Sequence, residues 1–355
     1  MGVCAAIIPF NSPLITLGAK VAPALVCGNT VVVKTSEFNA FSALAVAELA
    51  VQAGIPAGVL NVVAGAGEAG QTMSSHMKIR KISFTGSPIV GRKVQVAAAM
   101  SNLKRVTLEL GGKSPVVVFD DADLDSAVQE STRFLLFNGQ GCVLGTRILV
   151  QDTIIDKFTE KFVAKVKAAG SQLGADPFAA TTMGSPVYHK AQFDRVIGMI
   201  DRAKSEATCA TGGNRHGDKG LYVEPTVFTH PKEGAEIVRD EVFGPVAVVI
   251  PFKTEEDALR IANDTEYGLG GYVFTNSMDR AIRMAKELEA GVISVNVCGA
   301  VHKTLPFGGW KSESDMSLHF SCQTNVFLQA ADWVLRMQNT CFARSRSPRE
   351  SQSSM

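Results

Sequence analysis

Two short stretches hold residue types that do covalent chemistry. Phe137-Asn138-Gly139-Gln140-Gly141-Cys142 sets a thiol in a glycine-rich loop, where substrate and backbone approach each other closely. Leu108-Glu109-Leu110-Gly111-Gly112-Lys113-Ser114 ends an apolar run on a carboxylate flanked by glycines. A glutamate at the end of an apolar strand is costly without a partner, and burial raises its pKa toward the range of a general base. Thiol and carboxylate are the nucleophile and base of a two-stage covalent reaction. A third group, Asn11 in Pro9-Phe10-Asn11-Ser12-Pro13, carries an amide N–H suited to a developing oxyanion, although asparagine beside proline also fits a plain turn. Taken alone, a cysteine is more often a small buried hydrophobe. That reading holds for Cys4, Cys27, Cys209, Cys298, Cys322 and Cys341.

Alternating apolar runs and helical patterns would position these groups. Strands are expected at 3–8, 30–34, 59–63, 81–85 and 105–110, with helices at 14–25 and 40–53 between them. Beyond Glu109 the pattern predicts helices at 124–137, 153–169, 189–205 and 278–288, and strands at 246–250, 271–275 and 291–295. Thr254-Glu255-Glu256-Asp257 reads as a helix cap. Continuous Val/Ile runs between helices imply parallel sheets covered on both faces, the α/β class. A boundary near Gly111-Gly112 divides the chain into 1–110, 111–311 and a tail, 312–355, and puts the site in the cleft between two α/β units. In the tail, Val326, Ala330, Trp333, Val334 and Met337 fall on one helical face, and 343–355 is rich in Ser and Arg.

With 35 basic and 34 acidic residues the net charge is +1, which gives no pull toward nucleic acid or an acidic membrane surface. No apolar run reaches membrane-spanning length. Seven scattered cysteines without a CxxC pair argue against a disulfide framework or a zinc site, and for a reducing, cytoplasmic setting. His76, His189, His216, His230, His302 and His319 show no metal-like spacing. Gly65-Ala66-Gly67-Glu68-Ala69-Gly70 is a literal GxGxxG between strand and helix, but the acid about 20 residues on that should hold a ribose is absent.

The Glu109 and Cys142 stretches, in that order and in these contexts, resemble the aldehyde dehydrogenase superfamily, and the likeness runs from Gly2 to about Lys311. The resemblance implies a Rossmann-like cofactor domain and a thiol-bearing catalytic domain, NAD as cofactor and a small-molecule aldehyde as substrate. It makes Cys142 the nucleophile, Glu109 the base that activates the hydrolytic water, and Asn11 an oxyanion donor together with the Cys142 backbone N–H. Lys34 and Glu37 would grip the adenosine ribose, where a carboxylate favours NAD over NADP. Gly67 would lie near the adenine. The pyrophosphate would sit by the helix after Phe84-Thr85-Gly86-Ser87, with Val90. Ile7 and Leu110 are carried over as further cofactor contacts. Glu241 in Glu241-Val242-Phe243-Gly244-Pro245 would hold the nicotinamide ribose, Phe243 would flank the ring, and Gln192 would reach the same ribose.

Three departures from the family pattern stand out. The segment that precedes the Gly2–Asn11 stretch in relatives is missing, and Ser312 onward does not match their final strand. The helix before Cys142 is one residue short, a change that either shifts the nucleophile or is absorbed at Phe137-Asn138. The expectation is a truncated or mis-spliced gene product, or a mis-drawn gene model, with its active-site parts present and its sheet edges bare. Family members form homo-oligomers, and these losses set that assembly in question here. Competing readings are a nucleotide-binding relative without catalysis, a CoA-acylating aldehyde dehydrogenase, against which Glu109 argues, and a cofactor-free thiol esterase.

Overall fold

The computed structural model describes residues 1–171, 173–176, 178–179, 182, 184–299 and 307–312, together with the backbone of 325–328. The first half alternates β1 (Val3–Ile7), α1 (Pro13–Val26), β2 (Thr30–Lys34), α2 (Phe41–Gln52), β3 (Leu60–Val63), α3 (Gly67–Ser75), β4 (Lys81–Thr85), α4 (Pro88–Met100) and β5 (Arg105–Glu109). Its five strands lie parallel in the order β3-β2-β1-β4-β5. Successive side chains of β1 point to opposite faces. Ala5 and Ile7 join Ile82, Phe84, Val94 and Val106 on one side, and Cys4, Ala6 and Ile8 join Leu17, Val21, Val31 and Val33 on the other. The order reverses between β1 and β4, so the crevice beyond their carboxyl ends is where such a sheet takes a ligand.

The second half contains β6 (Ser114–Val118), α5 (Leu124–Ser131), a 3₁₀ segment (Thr132–Gly139), β7 (Gly145–Gln151), α6 (Ile155–Gly170), α7 (Lys190–Ala203), β8 (Thr208–Thr211), β9 (Thr226–Thr229), α8 (Glu236–Arg239), β10 (Val246–Phe252), α9 (Glu255–Asn263), β11 (Gly270–Phe274), α10 (Met278–Glu287), β12 (Val292–Val295) and β13 (Asn325–Leu328). Eight strands form one sheet, ordered β13-β12-β11-β6-β7-β10-β9-β8. The α/β class and the parallel sheets agree with expectation, except at one edge: β8 runs antiparallel to β9. The Thr254 side chain accepts from the Asp257 N–H and caps α9, as its sequence predicts.

Other expectations are corrected. The pattern at 124–137 is not one helix: α5 stops at Ser131 and the chain tightens into 3₁₀ turns, with Phe137 and Asn138 at φ of 53° and 52°. That left-handed pair is where the segment turns toward Cys142. Central strand β6 is not among the expected strands, because Pro115 interrupts the apolar run. Proline is tolerated there because the register shifts between Ser114 and Pro115, a bulge that spares a ladder hydrogen bond. In the tail, Val326 lies in β13, paired with Ile293, rather than on a helix. Ala330, Trp333, Val334, Met337 and the 343–355 stretch lie outside the described residues, as do His302, His319, Cys322 and Cys341.

Candidate active site

The chain passes from the first sheet to the second between Glu109, the last residue of β5, and Ser114, the first of β6. Register places Lys34 beside Ile7, Ile7 beside Phe84, and Thr85 beside Glu109, so these groups form a row along the carboxyl edge of the first sheet. Cys142 comes three residues before Gly145, which opens β7 and pairs with Ser114. Four linking residues therefore bring the amino edge of the second sheet, with its cysteine loop, to the carboxyl edge of the first, with Glu109. Gly112 is the contact point: a Cβ there would overlap the Cys142 carbonyl.

The cysteine loop is fixed from several sides. Asn11 Nδ2 donates to the Gln140 carbonyl at 2.8 Å, which ties the loop after β1 to the loop before Cys142. Gln140 Nε2 donates to the carbonyls of Phe137 and Pro186, and its Oε1 accepts from the Tyr188 N–H at 3.0 Å. Gly139, at φ 73°, packs so close to the Gly244 backbone that any side chain would collide. The Cys142 thiol is pushed up to about 12, first by burial and then by the charges of Glu241 and Glu109, while the backbone N–H groups of Cys142 and Val143 pull it down. Both carboxylates thus make themselves felt at the sulfur.

Lys20 acts on Glu109, Glu241 acts on Cys142, and Lys113 stands beside Glu241. Lys20 lies in the otherwise apolar α1, and its Nζ donates to Ser83 Oγ at 2.8 Å. Burial lowers its pKa to about 8 against the opposing pull of Glu109. Glu241 accepts from the Gly112 N–H at 3.0 Å, and a Cβ on Gly111 would strike its carboxylate. Burial raises Glu241 to about 7, with the Gly112 bond and Lys113 acting the other way. Lys113, fully buried beside it, is lowered to about 7, chiefly by burial.

The Glu241 shift carries a stability consequence. Below its ordinary pKa of 4.5 the group is neutral in both the folded and unfolded chain. As pH rises from there to about 7, the unfolded chain loses its proton first and stability falls; above 7 the penalty is constant. The shift corresponds to about 3 kcal/mol. Glu241→Gln keeps an acceptor for Gly112 and removes the ionisation. Urea titrations at several pH values should show the variant gaining on wild type between pH 4.5 and 7 and staying ahead at pH 8. Parallel pH profiles for the two chains would contradict this.

The residues expected around a cofactor fall into two groups. Ile7, Lys34, Glu37, Phe84, Gly86, Ser87 and Leu110 lie at or just beyond the carboxyl edge of the first sheet. Lys34 Nζ reaches Glu37 Oε2 at 3.4 Å, and the Glu37 side chain is 43% exposed, open to a ligand. Gly86 lies on the Phe84 ring with no room for a Cβ. Ser87 caps α4 without a side-chain bond, Val90 is exposed on that helix, and Gly91 packs on Leu110. Gly67, at the start of α3, has open space around it, and one turn on Gly70 packs against Ile7 of β1. The second group belongs to the other half. Phe243, at φ 54°, meets Phe10 edge-on at 6.1 Å, and Phe10 stacks on Tyr188 at 4.8 Å. Gln192 uses its Nε2 to brace the Val242 and Phe243 carbonyls, and Arg195 holds those of Glu241 and Val242. Among the described residues no group of three or more His, Cys, Asp or Glu could hold a metal, and no helix is long and apolar enough to cross a membrane.

Lys20 and Tyr188 are the site residues that sequence reasoning missed. A lone charge inside the apolar 14–25 pattern was the available signal for Lys20. Nothing local marked Tyr188.

Comparison with known proteins agrees with this geometry. The sequence model of the aldehyde dehydrogenase family matches residues 1–317. An aldehyde dehydrogenase of Davidiella tassiana is 48% identical over 314 residues, 88% of this chain and 63% of that protein. Aldehyde dehydrogenase, cytosolic 1 of Mus musculus is 46% identical over the same share of this chain and 62% of its own length. Among solved structures, the aldehyde dehydrogenase KauB of Pseudomonas aeruginosa superposes with a TM-score of 0.86 at 40% identity, covering 88% of this chain and 64% of that one. The indole-3-acetaldehyde dehydrogenase AldA of P. syringae, solved with NAD+, gives 0.85 at 38%, covering 88% and 64%. This chain thus spans a little under two thirds of the length of these relatives. On its sequence, its two sheets and the residues they bring together, the chain belongs to the aldehyde dehydrogenase family.

Proposed function

We propose that the chain oxidises an aldehyde to a carboxylic acid with NAD, through a thioester on Cys142. The observation that carries this reading is that Glu109 closes β5 three residues before Gly112, which packs on the Cys142 carbonyl, and that the Glu109 charge reaches the Cys142 thiol. On this reading residues 1–110 hold the cofactor and 111–311 bear the thiol.

The chain's groups suit the cofactor. Lys34 and Glu37 offer a donor and acceptor for a ribose, the start of α4 after Ser87 suits a pyrophosphate, and Phe243 offers an aromatic ring. When bound, NAD supplies the hydride acceptor. The chain does the rest. The thiol is neutral in the free chain, so its proton must pass to a nearby base; Glu109 and Glu241 are the carboxylates whose charge reaches it. The sulfur then bonds to the carbonyl carbon, and the C=O electron pair moves to oxygen. One Asn11 N–H is spent on Gln140, leaving the second, with the Cys142 backbone N–H, for that oxyanion. After hydride departs, the carbon is a thioester. Glu109 takes a proton from water, water oxygen attacks, and the C–S bond breaks to return thiol and acid.

The Glu109 carboxylate, whose charge reaches the Cys142 thiol, supports acid release over acyl transfer to CoA. Exposed Ile89, Val96 and Met100 on α4 support association into an oligomer. The likeness to a cytosolic mouse enzyme supports a cytosolic setting.

The test is direct. Purified chain with NAD and a short aliphatic aldehyde should form NADH and free acid in equal amounts without CoA. NAD binding with no NADH would point to a binding protein. Acyl product only when CoA is present would point to the acylating chemistry, and ester cleavage indifferent to NAD to an esterase.

A further inference from the structure

We propose that Tyr272 is a positioning residue for the nucleophile: its buried hydroxyl donates to the Val143 carbonyl and so fixes the depth at which Cys142 is held. The proposal rests on the reading of Cys142 as nucleophile.

Tyr272 lies in β11, between Val116 of β6 and Ser294 of β12, and is 2% exposed. It follows Gly270 and Gly271 in the strand, neither of which has a side chain to compete with its ring. Two glycines make room for it. A Cβ on Gly145 would come 3.1 Å from the ring, and one on Gly270 would come 3.0 Å from the hydroxyl. The ring therefore crosses above the start of β7 and delivers its hydroxyl to the residue that follows Cys142. The Gly299 backbone, in the loop after β12, acts to lower the phenol's pKa against the larger effect of burial. Burial, with Cys298 and Cys142 nearby, keeps the phenol protonated, hence always a donor. A buried tyrosine hydroxyl needs a partner. Here the partner belongs to the nucleophile loop, not to the strand ladder.

A space-filling role and a positioning role separate in Tyr272→Phe, which keeps the ring and removes the bond. The readout is iodoacetamide labelling across pH, followed peptide by peptide at Cys142 and, as control, at buried Cys4 in the other sheet. Without the bond the loop relaxes and the sulfur gains solvent. The Cys142 labelling midpoint should then fall by about one pH unit, a roughly tenfold gain at pH 8, with Cys4 unchanged. Wild-type rates at Cys142, or equal gains at Cys142 and Cys4, would overturn the proposal. Should Tyr272→Phe fail to fold, wild-type chain grown with 3-fluorotyrosine, a stronger donor of nearly the same shape, should label about twofold more slowly at Cys142 relative to Cys4. No change would overturn it. Labelling needs neither NAD nor aldehyde, so its failure is distinguishable from failure of the NADH assay.

Discussion

Glu109→Gln should turn steady NADH production into a single burst. The first half of the reaction needs the thiol of Cys142, a carboxylate to take its proton, which Glu241 still provides, and an oxyanion site. The second half needs a proton taken from water, and glutamine cannot take it. One NADH per chain should therefore appear at close to the wild-type rate, and turnover should then slow by about 10²- to 10⁴-fold. Glutamine has nearly the same shape, so the backbone bond from Gly86 to the Glu109 carbonyl at 3.0 Å is kept. Stopped-flow absorbance separates the two phases. Loss of the burst along with turnover would move Glu109 to the first half, as the acceptor of the thiol proton. An unchanged steady rate would remove it from the mechanism.

Cys142→Ala should abolish both phases. Without sulfur there is no covalent bond to the aldehyde and nothing from which hydride can depart, so NADH formation should fall by about 10⁴-fold or more, to background. NAD affinity, measured by fluorescence quenching, should stay within about twofold of wild type, because the groups expected to hold the adenosine lie in the first sheet. The thiol, pushed up to about 12, is neutral in both the folded and the unfolded chain near pH 7, so the substitution changes no charge there. A variant with substantial residual NADH formation would mean another group carries the chemistry.

The parts of this site that could be read in the sequence are those whose function needs a local pattern. Glu109 and Cys142 sit among glycines because backbones and side chains from distant segments crowd them: Glu241 against Gly111, Cys142 against Gly112, Gly244 against Gly139. The requirement falls on neighbours in the chain, so it leaves a mark. Val/Ile runs marked β1, β2 and β10 for the same reason: a parallel strand buried on both faces has no polar positions. What stayed hidden was set by distant partners. Tyr272 reads as an aromatic residue in a strand, and only the packing of β11 beside β6 carries its hydroxyl to Val143. Gln192 gave no sign that its amide would brace the Glu241-Val242-Phe243 turn. The break after Ser131 was masked because 124–137 keeps helical spacing; the left-handed turn at Phe137 and Asn138 is set by the docking of Gly139 and Gln140. Central strand β6 was concealed by Pro115, whose bulge only its partner β7 explains.

The chemical claim on which the rest depends is acyl transfer through one sulfur. Glu109→Gln chain, mixed with NAD and an aldehyde and quenched in acid during the burst, should gain the mass of the aldehyde less two hydrogens, and peptide mapping should place that gain on Cys142. NADH release with no added mass, or with the acyl group on any other residue, would contradict the account.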